Sequence, residues 1–141
     1  MAQPLALWSR PEWLAEATWW LDEQLARIGS HRTGEVAQPH VRPWATAITA
    51  PTTNGRVWLK ASAPATAFEA RLYELLVSTV PHYIVEPIAI DVERAWLLLP
   101  DGGPPIRERF SGADLREAML AAMPRYAELQ RKLALRLREL L

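Results

Sequence analysis

The sequence predicts an α+β fold. A five-stranded antiparallel sheet carries one inserted helix, and a helix precedes the sheet while a helical extension follows it. Two observations favour this class: apolar residues recur at helical spacing near both ends of the chain, whereas short extended segments fill its middle. With 141 residues, half of them apolar, the chain is long enough to bury one sizeable core.

The first long helix is expected to begin near Pro11 and to stop at Gly29-Ser30. Ser9 and Glu12 have the spacing of a capping box, and a proline is tolerated in the first turn because its missing N–H has no partner there. One apolar face follows at helical spacing: Leu14, Ala17, Leu21, Leu25 and Ile28. Most of the seven tryptophans are expected to pack in the core.

Five extended segments are expected to form the sheet: 35–41, 46–50, 56–61, 87–91 and 95–99. Asn54-Gly55 predicts a hairpin between the second and third strands, because both residues tolerate positive φ. Val92-Glu93-Arg94 is a tight connection between the last two strands. A helix over 65–80, ended by Pro81, is predicted between the two hairpins.

The strongest break in the chain lies at 100–105, where two glycines and two prolines follow one another. We therefore expect a sheet-containing part over 1–99, a hinge-like connector over 100–105, and a helical extension over 106–141. Apolar residues mark that extension, and Pro124 is expected to kink or divide it. Leu129, Leu133, Leu137 and Leu140 form a stripe that predicts a partner surface, including a second copy of the chain.

Composition excludes several classes of function. Sixteen basic and sixteen acidic residues leave no net charge that would attract nucleic acid or an anionic membrane. The absence of cysteine excludes disulfides, thiolate metal sites and cysteine nucleophiles. The first residues lack the pattern of a secretion signal, so a cytoplasmic protein is expected.

Lys60 is the first candidate site residue. It ends the extended segment Val57-Trp58-Leu59-Lys60, and Glu69 follows in the next predicted helix. A lysine held by a carboxylate from an adjacent helix is fixed where it can contact the phosphates of a nucleotide. The alternative is an exposed lysine and an unrelated, solvent-facing glutamate.

Several ordered segments carry a family resemblance. The lysine segment, Pro87-Ile88-Ala89-Ile90-Asp91 and Trp96-Leu97-Leu98-Leu99-Pro100-Asp101-Gly102-Gly103 resemble the aminoglycoside phosphotransferase family, which has a protein-kinase-like fold. Val41 to Thr46 and Arg125 to Gln130 resemble it too, so the resemblance covers roughly 35–131. It implies an N-terminal lobe that binds ATP, with Lys60 and Glu69 as the paired residues.

The same resemblance implies further contacts. The hinge would pair with adenine through the carbonyl of Leu99 and the N–H of Asp101, because Pro100 has no N–H. No glycine lies between Glu35 and Thr46, so phosphate contacts would come from backbone N–H groups of Trp44 to Thr46 and from the Thr46 hydroxyl.

The chain departs from the family at the residues that perform the chemistry. It contains no His-Gly-Asp type loop, and its three histidines and four aspartates are scattered. We therefore expect no catalytic residue and no metal ligand in this chain. The intact parent would use ATP with magnesium to phosphorylate a small-molecule hydroxyl, and this chain would be a truncated, inactive piece of it. The alternatives are a free-standing module that binds or regulates a protein, and an unrelated α+β protein.

Overall fold

The structure is a computed structural model that describes the backbone of residues 4–140 and the side chains of residues 5–136. The helices are α1 Pro4–Trp8, α2 Pro11–Arg27, α3 Phe68–Thr79, α4 Ile106–Arg109 and α5 Gly112–Leu140. The strands are β1 Ala37–Val41, β2 Ala45–Thr52, β3 Gly55–Ser62, β4 Ala89–Asp91 and β5 Trp96–Pro100. Short 3₁₀ turns cover Pro64–Thr66 and Pro81–Tyr83.

The chain forms two compact units. The first runs to Glu74 and resumes over Glu86–Asp101, and it contains the whole sheet. The second contains Leu75–Val85 and the residues from Gly102 onward, including α4 and α5. Because the end of α3 and the following loop belong to the second unit, this division differs from the expected boundary at residue 99.

The sheet confirms the predicted fold class. Its strand order is β1-β2-β3-β5-β4, and all neighbouring strands are antiparallel. The predicted hairpin turn is also confirmed, since Gly55 has a φ of 102° and pairs with Thr52. The Thr52 hydroxyl closes the turn: it accepts from the Asn54 N–H at 3.1 Å and donates to the Gly55 carbonyl at 2.6 Å.

The core of the first unit lies between α2 and one face of the sheet. Val57, Leu59 and Ala61 point into it because alternate residues of a strand face the same side. Trp96 packs edge-to-face with Trp13 and Trp20, with ring centroids 6.1 and 5.5 Å apart. Other members of the core are Trp8, Ala17, Leu21, Leu25, Ile48, Ala63 and Leu98. Each fully buried leucine contributes about 1.5–3 kcal/mol.

Four of the seven tryptophans are buried, as expected, but Trp19 and Trp44 are exposed. The predicted capping box is wrong. Arg10 is the N-cap of α2 and its side chain makes no cap hydrogen bond, while the Ser9 hydroxyl donates to the Leu5 carbonyl at 2.8 Å. The reason is α1, a helix that the sequence did not predict, whose terminal carbonyls need a donor.

The helix after β3 begins at Phe68, later than expected, because Pro64–Thr66 forms a 3₁₀ turn first. Ala70 is its buried residue, whereas Phe68 and Leu72, two apolar residues at helical spacing, are exposed. Apolar spacing thus located this helix but not the residue that it buries.

In the second unit, α5 packs against the Pro81–Tyr83 turn. The Tyr83 ring lies under the Lys132 ammonium at 4.7 Å and the Arg125 guanidinium at 5.7 Å. Helix α5 continues through Pro124, so the chain is not divided there. Across residues 4–140, no helix combines the length and the hydropathy needed to cross a bilayer.

Candidate functional site

The centre of the candidate site is an ion pair between Lys60 on β3 and Glu69 on α3. Lys60 Nζ lies 2.6 Å from Glu69 Oε2 and 2.8 Å from Oε1. The prediction that these two side chains approach each other is confirmed. Their side chains are 38% and 33% exposed, and a pair this open to water contributes only about 0–1 kcal/mol to stability.

Strand alternation places Lys60 on the sheet face opposite the core. Trp58, Lys60 and Ser62 share that face, while the residues between them are buried. The segment after β3 then turns sharply, because the Trp44 carbonyl accepts from both the Ala63 N–H at 2.9 Å and the Thr66 hydroxyl at 2.7 Å. This fixes where α3 begins, and therefore where its carboxylate lies.

Ser62 gives the Glu69 carboxylate a second donor. Its hydroxyl lies 3.0 Å from Glu69 Oε2, so two residues of one strand hold the same carboxylate. Sequence reasoning missed Ser62, although its spacing of two residues from Lys60 on a strand would have put it on the same face. The carboxylate is thus held from two directions, which limits the positions that Lys60 can adopt.

Trp58 offers an aromatic surface beside the ion pair. It lies two residues before Lys60, which corresponds to about 6.6 Å along a strand. The His40 ring stacks on it with centroids 6.2 Å apart and an interplanar angle of 20°. The sequence analysis did not single out either ring, because their approach depends on the pairing of β1 with β2 and of β2 with β3.

Tyr73 lies one helical turn after Glu69 on α3. Burial of its phenol raises its pKa above the ordinary value of 10.0, and the negative charge of Glu69 raises the pKa further. Glu69 therefore influences a second titratable group in addition to its ion-pair partner.

The hinge contacts expected at Leu99 and Asp101 are wrong. The Asp101 N–H donates to the Arg56 carbonyl at 3.0 Å, so the β3–β5 ladder continues past Pro100. Hydrogen-bonded and non-hydrogen-bonded residue pairs alternate along an antiparallel ladder. Because Arg56 and Asp101 form a hydrogen-bonded pair, Trp58 and Leu99 form the next one. The Leu99 carbonyl therefore faces Trp58 inside the sheet.

The contact expected from the Thr46 hydroxyl is also wrong. Thr46 is 1% exposed, and its hydroxyl donates to the His40 carbonyl at 2.8 Å and accepts from Gln38 at 2.9 Å. It lies on the core face because it pairs with Ala61, whereas Ala47 pairs with Lys60. Phosphate contact by the N–H groups of Trp44 and its neighbour Ala45 stays a prediction.

Metal-binding side chains are not gathered in the part of the chain that the structure describes. Among those residues, no three histidine, cysteine, aspartate or glutamate side chains lie close enough to hold one ion. What the described site offers is one ammonium, one carboxylate, one hydroxyl and one aromatic face. Such a set can bind an anion next to a planar group.

Comparison with known proteins adds no relative: no protein-family model, no curated protein and no solved structure matches the chain. The residues themselves are therefore the basis for any statement about function.

Proposed function

We propose that this chain is the nucleotide-binding N-terminal lobe of a phosphotransferase that resembles the aminoglycoside phosphotransferases. The observation that carries the proposal is the Lys60–Glu69 ion pair, formed between the third strand and the helix that follows it. A partly exposed pair stabilises a fold little, so a role in binding explains its geometry better than a role in stability. A lysine held in this way is a point charge directed at phosphate oxygens.

The proposed nucleotide binds on the sheet face that carries Trp58, Lys60 and Ser62. Its base stacks near Trp58, because every base has an aromatic face and an indole ring is a suitable platform. Its phosphates lie at Lys60, about 6.6 Å further along the strand. Stacking takes over the role that the sequence analysis gave to Leu99 and Asp101.

The proposal assigns phosphoryl transfer to the intact parent and not to this chain. The intact parent would use ATP and magnesium to phosphorylate a hydroxyl of a small molecule. This chain contains no His-Gly-Asp sequence, and positioning and metal electrostatics supply nearly all of the catalysis in this chemistry. The purified chain should therefore bind the nucleotide without turnover. A cytoplasmic location, where ATP is supplied, belongs to the same proposal.

Calorimetric titration of the 141-residue chain with ATP and with adenosine tests the proposal. ATP should bind more tightly than adenosine, and Lys60→Ala should remove most of that difference, because one charge-assisted contact corresponds to about a tenfold change in affinity or more. Arg71→Ala is the matched control, since Arg71 is an exposed cation on α3 outside the ion pair. Equal affinities for ATP in wild type and Lys60→Ala would disprove the role of Lys60.

A second candidate function, a non-catalytic module that binds a protein or a second copy, is favoured by one observation. Helix α5 exposes Met119, Leu120, Met123 and Tyr126, each more than half accessible to solvent. These residues form an apolar stripe at helical spacing, and such stripes mark interaction surfaces. If the chain binds no nucleotide, the protein-binding module replaces the nucleotide-binding lobe as the proposed function.

A further inference from the structure

A cavity of about 810 Å³ opens in the first unit, at the end of the sheet away from the hairpin turn. Its wall is built by the junction of α1 and α2, the β1–β2 turn, the segment after β3 and the β4–β5 turn. Its main apolar residues are Leu7, Trp8, Trp13, Pro43, Pro64 and Trp96. The volume lies within the range of about 300–1,000 Å³ that small-molecule sites have.

Among the described residues, no protein atom accepts from the indole N–H groups of three tryptophans of this wall. Trp8, Trp13 and Trp96 are 3%, 6% and 5% exposed, and in the described part of the chain no indole N–H of theirs donates to a protein atom.

The same part of the chain has no buried side-chain nitrogen that is sealed off without a partner. The N–H groups of Trp8, Trp13 and Trp96 therefore reach solvent-accessible space, and all three residues line the cavity. The cavity is thus lined by apolar surface and by three residues that each carry an indole donor.

Charges at the rim decide which ligand fits. The Arg94 guanidinium is held by Asp91 at 2.9 Å and by Glu16 at 3.2 Å, and it lies 5.6 Å over the Trp96 ring. Arg94 donates hydrogen bonds to the carboxylates of Asp91 and Glu16, which raise its pKa, and these two negative charges offset its positive charge. Glu93 adds a carboxylate to the wall, which disfavours anions, whereas the positive edges of indole N–H groups disfavour cations.

We propose that this cavity binds a small neutral molecule whose body is a mainly apolar ring and whose acceptor oxygen pairs with an indole N–H of Trp8, Trp13 or Trp96. The apolar wall removes the ring from water, and the unpartnered donors select a carbonyl, ether or hydroxyl oxygen. This site is separate from the Lys60–Glu69 pair and does not depend on nucleotide binding.

Two-dimensional ¹H–¹⁵N spectra of the whole chain test the proposal, because indole N–H signals are resolved from backbone signals. Titration with acetophenone should move at least one indole proton of Trp8, Trp13 or Trp96 downfield in a saturable way. The signals of exposed Trp19 and Trp44 should stay in place. Isopropylbenzene, which has a similar size without an oxygen acceptor, should cause no downfield shift. Benzoate and benzylammonium should bind at least about threefold more weakly than acetophenone.

Filling the cavity provides the matched variants. Ala67→Leu enlarges one side chain of the cavity wall. It should weaken acetophenone binding about tenfold, since the ligand and the leucine compete for the same space. Ala15→Leu makes the same change at an exposed position of α2 outside the cavity and should leave binding unchanged. Absence of any saturable shift in wild type would overturn the proposal, and so would equal shifts at all seven tryptophans or binding unaffected by Ala67→Leu.

Discussion

At the scale of single residues, the Glu69 carboxylate organises the candidate site. It accepts from Lys60 and Ser62, two residues apart on β3, and its charge raises the pKa of Tyr73. The sequence predicted the lysine and the glutamate, because their order along the chain matches a known pattern. It did not predict Ser62 or Tyr73, whose roles depend on where α3 begins.

The raised pKa of Tyr73 gives a pH dependence of stability. The phenol loses its proton at higher pH in the folded chain than in the unfolded one, so its contribution is fully present below about pH 10 and is lost as the pH rises through the folded pKa. When the pH is raised from about 8 to about 11, the free energy of unfolding of Tyr73→Phe should therefore fall less than that of wild type. Urea unfolding at both pH values measures this, and equal losses would show that Tyr73 does not titrate in this way.

At the scale of elements, the β2–β3 hairpin is the part of the fold that local sequence determines most fully. Asn54-Gly55 sets the turn, the turn sets the register from Thr52↔Gly55 to Ala45↔Ser62, and the register puts Ala47 beside Lys60. The β1–β2 turn has no comparable signal, and the position of Thr46 on the core face could not be predicted from it. The strand register decides which face of the sheet a residue occupies. The spacing of apolar residues alone did not predict that register.

A substitution at Gly55 tests the importance of the turn. Its φ of 102° is costly for any residue with a Cβ, although no heavy atom lies within 4 Å of where that atom would be. Gly55→Ala should therefore destabilise the chain by about 1–2 kcal/mol through backbone strain alone. Gly102→Ala is the control, because its nearest neighbour, a methyl of Val85, is 4.0 Å away and its φ is not in the left-handed region. Urea midpoints compare them, and an equal effect of both changes would argue against strain at the turn.

At the scale of the whole molecule, the sequence predicted the sheet, its inserted helix and the long flanking helices. It did not predict α1 or α4, which are too short to show a periodic pattern. It also ended β5 at Leu99, whereas the ladder includes Pro100 and continues to the Asp101 N–H. The longer ladder occupies the backbone groups that were expected to contact adenine. Strand ends are the least certain part of a sequence-based prediction.

Association through α5 is the prediction that belongs to the whole molecule. The expected stripe included Leu137 and Leu140, whose side chains lie outside the described residues, and its other members Leu129 and Leu133 are half-buried. The exposed stripe is instead Met119, Leu120, Met123 and Tyr126. We therefore expect concentration-dependent dimerisation that Met123→Glu abolishes, because a buried unpaired carboxylate is costly.

Sedimentation velocity over a concentration series measures this association. Glu117→Gln, a change at an exposed position of the same helix outside the stripe, serves as the control and should leave the dimer intact. A monomer at high micromolar concentration, or a dimer that Met123→Glu does not affect, would contradict the prediction.

The central claim is that Lys60 binds phosphate and that Glu69 holds it in place, and exchanging the two charges tests it most directly. The double variant Lys60→Glu, Glu69→Lys keeps an ion pair between β3 and α3 but puts a carboxylate where the phosphates are proposed to bind. We predict that its free energy of unfolding lies within about 1 kcal/mol of the wild-type value, because a partly exposed pair contributes little. Its preference for ATP over adenosine in calorimetric titration should be lost. A charge-exchanged protein that binds ATP as tightly as wild type would contradict the account.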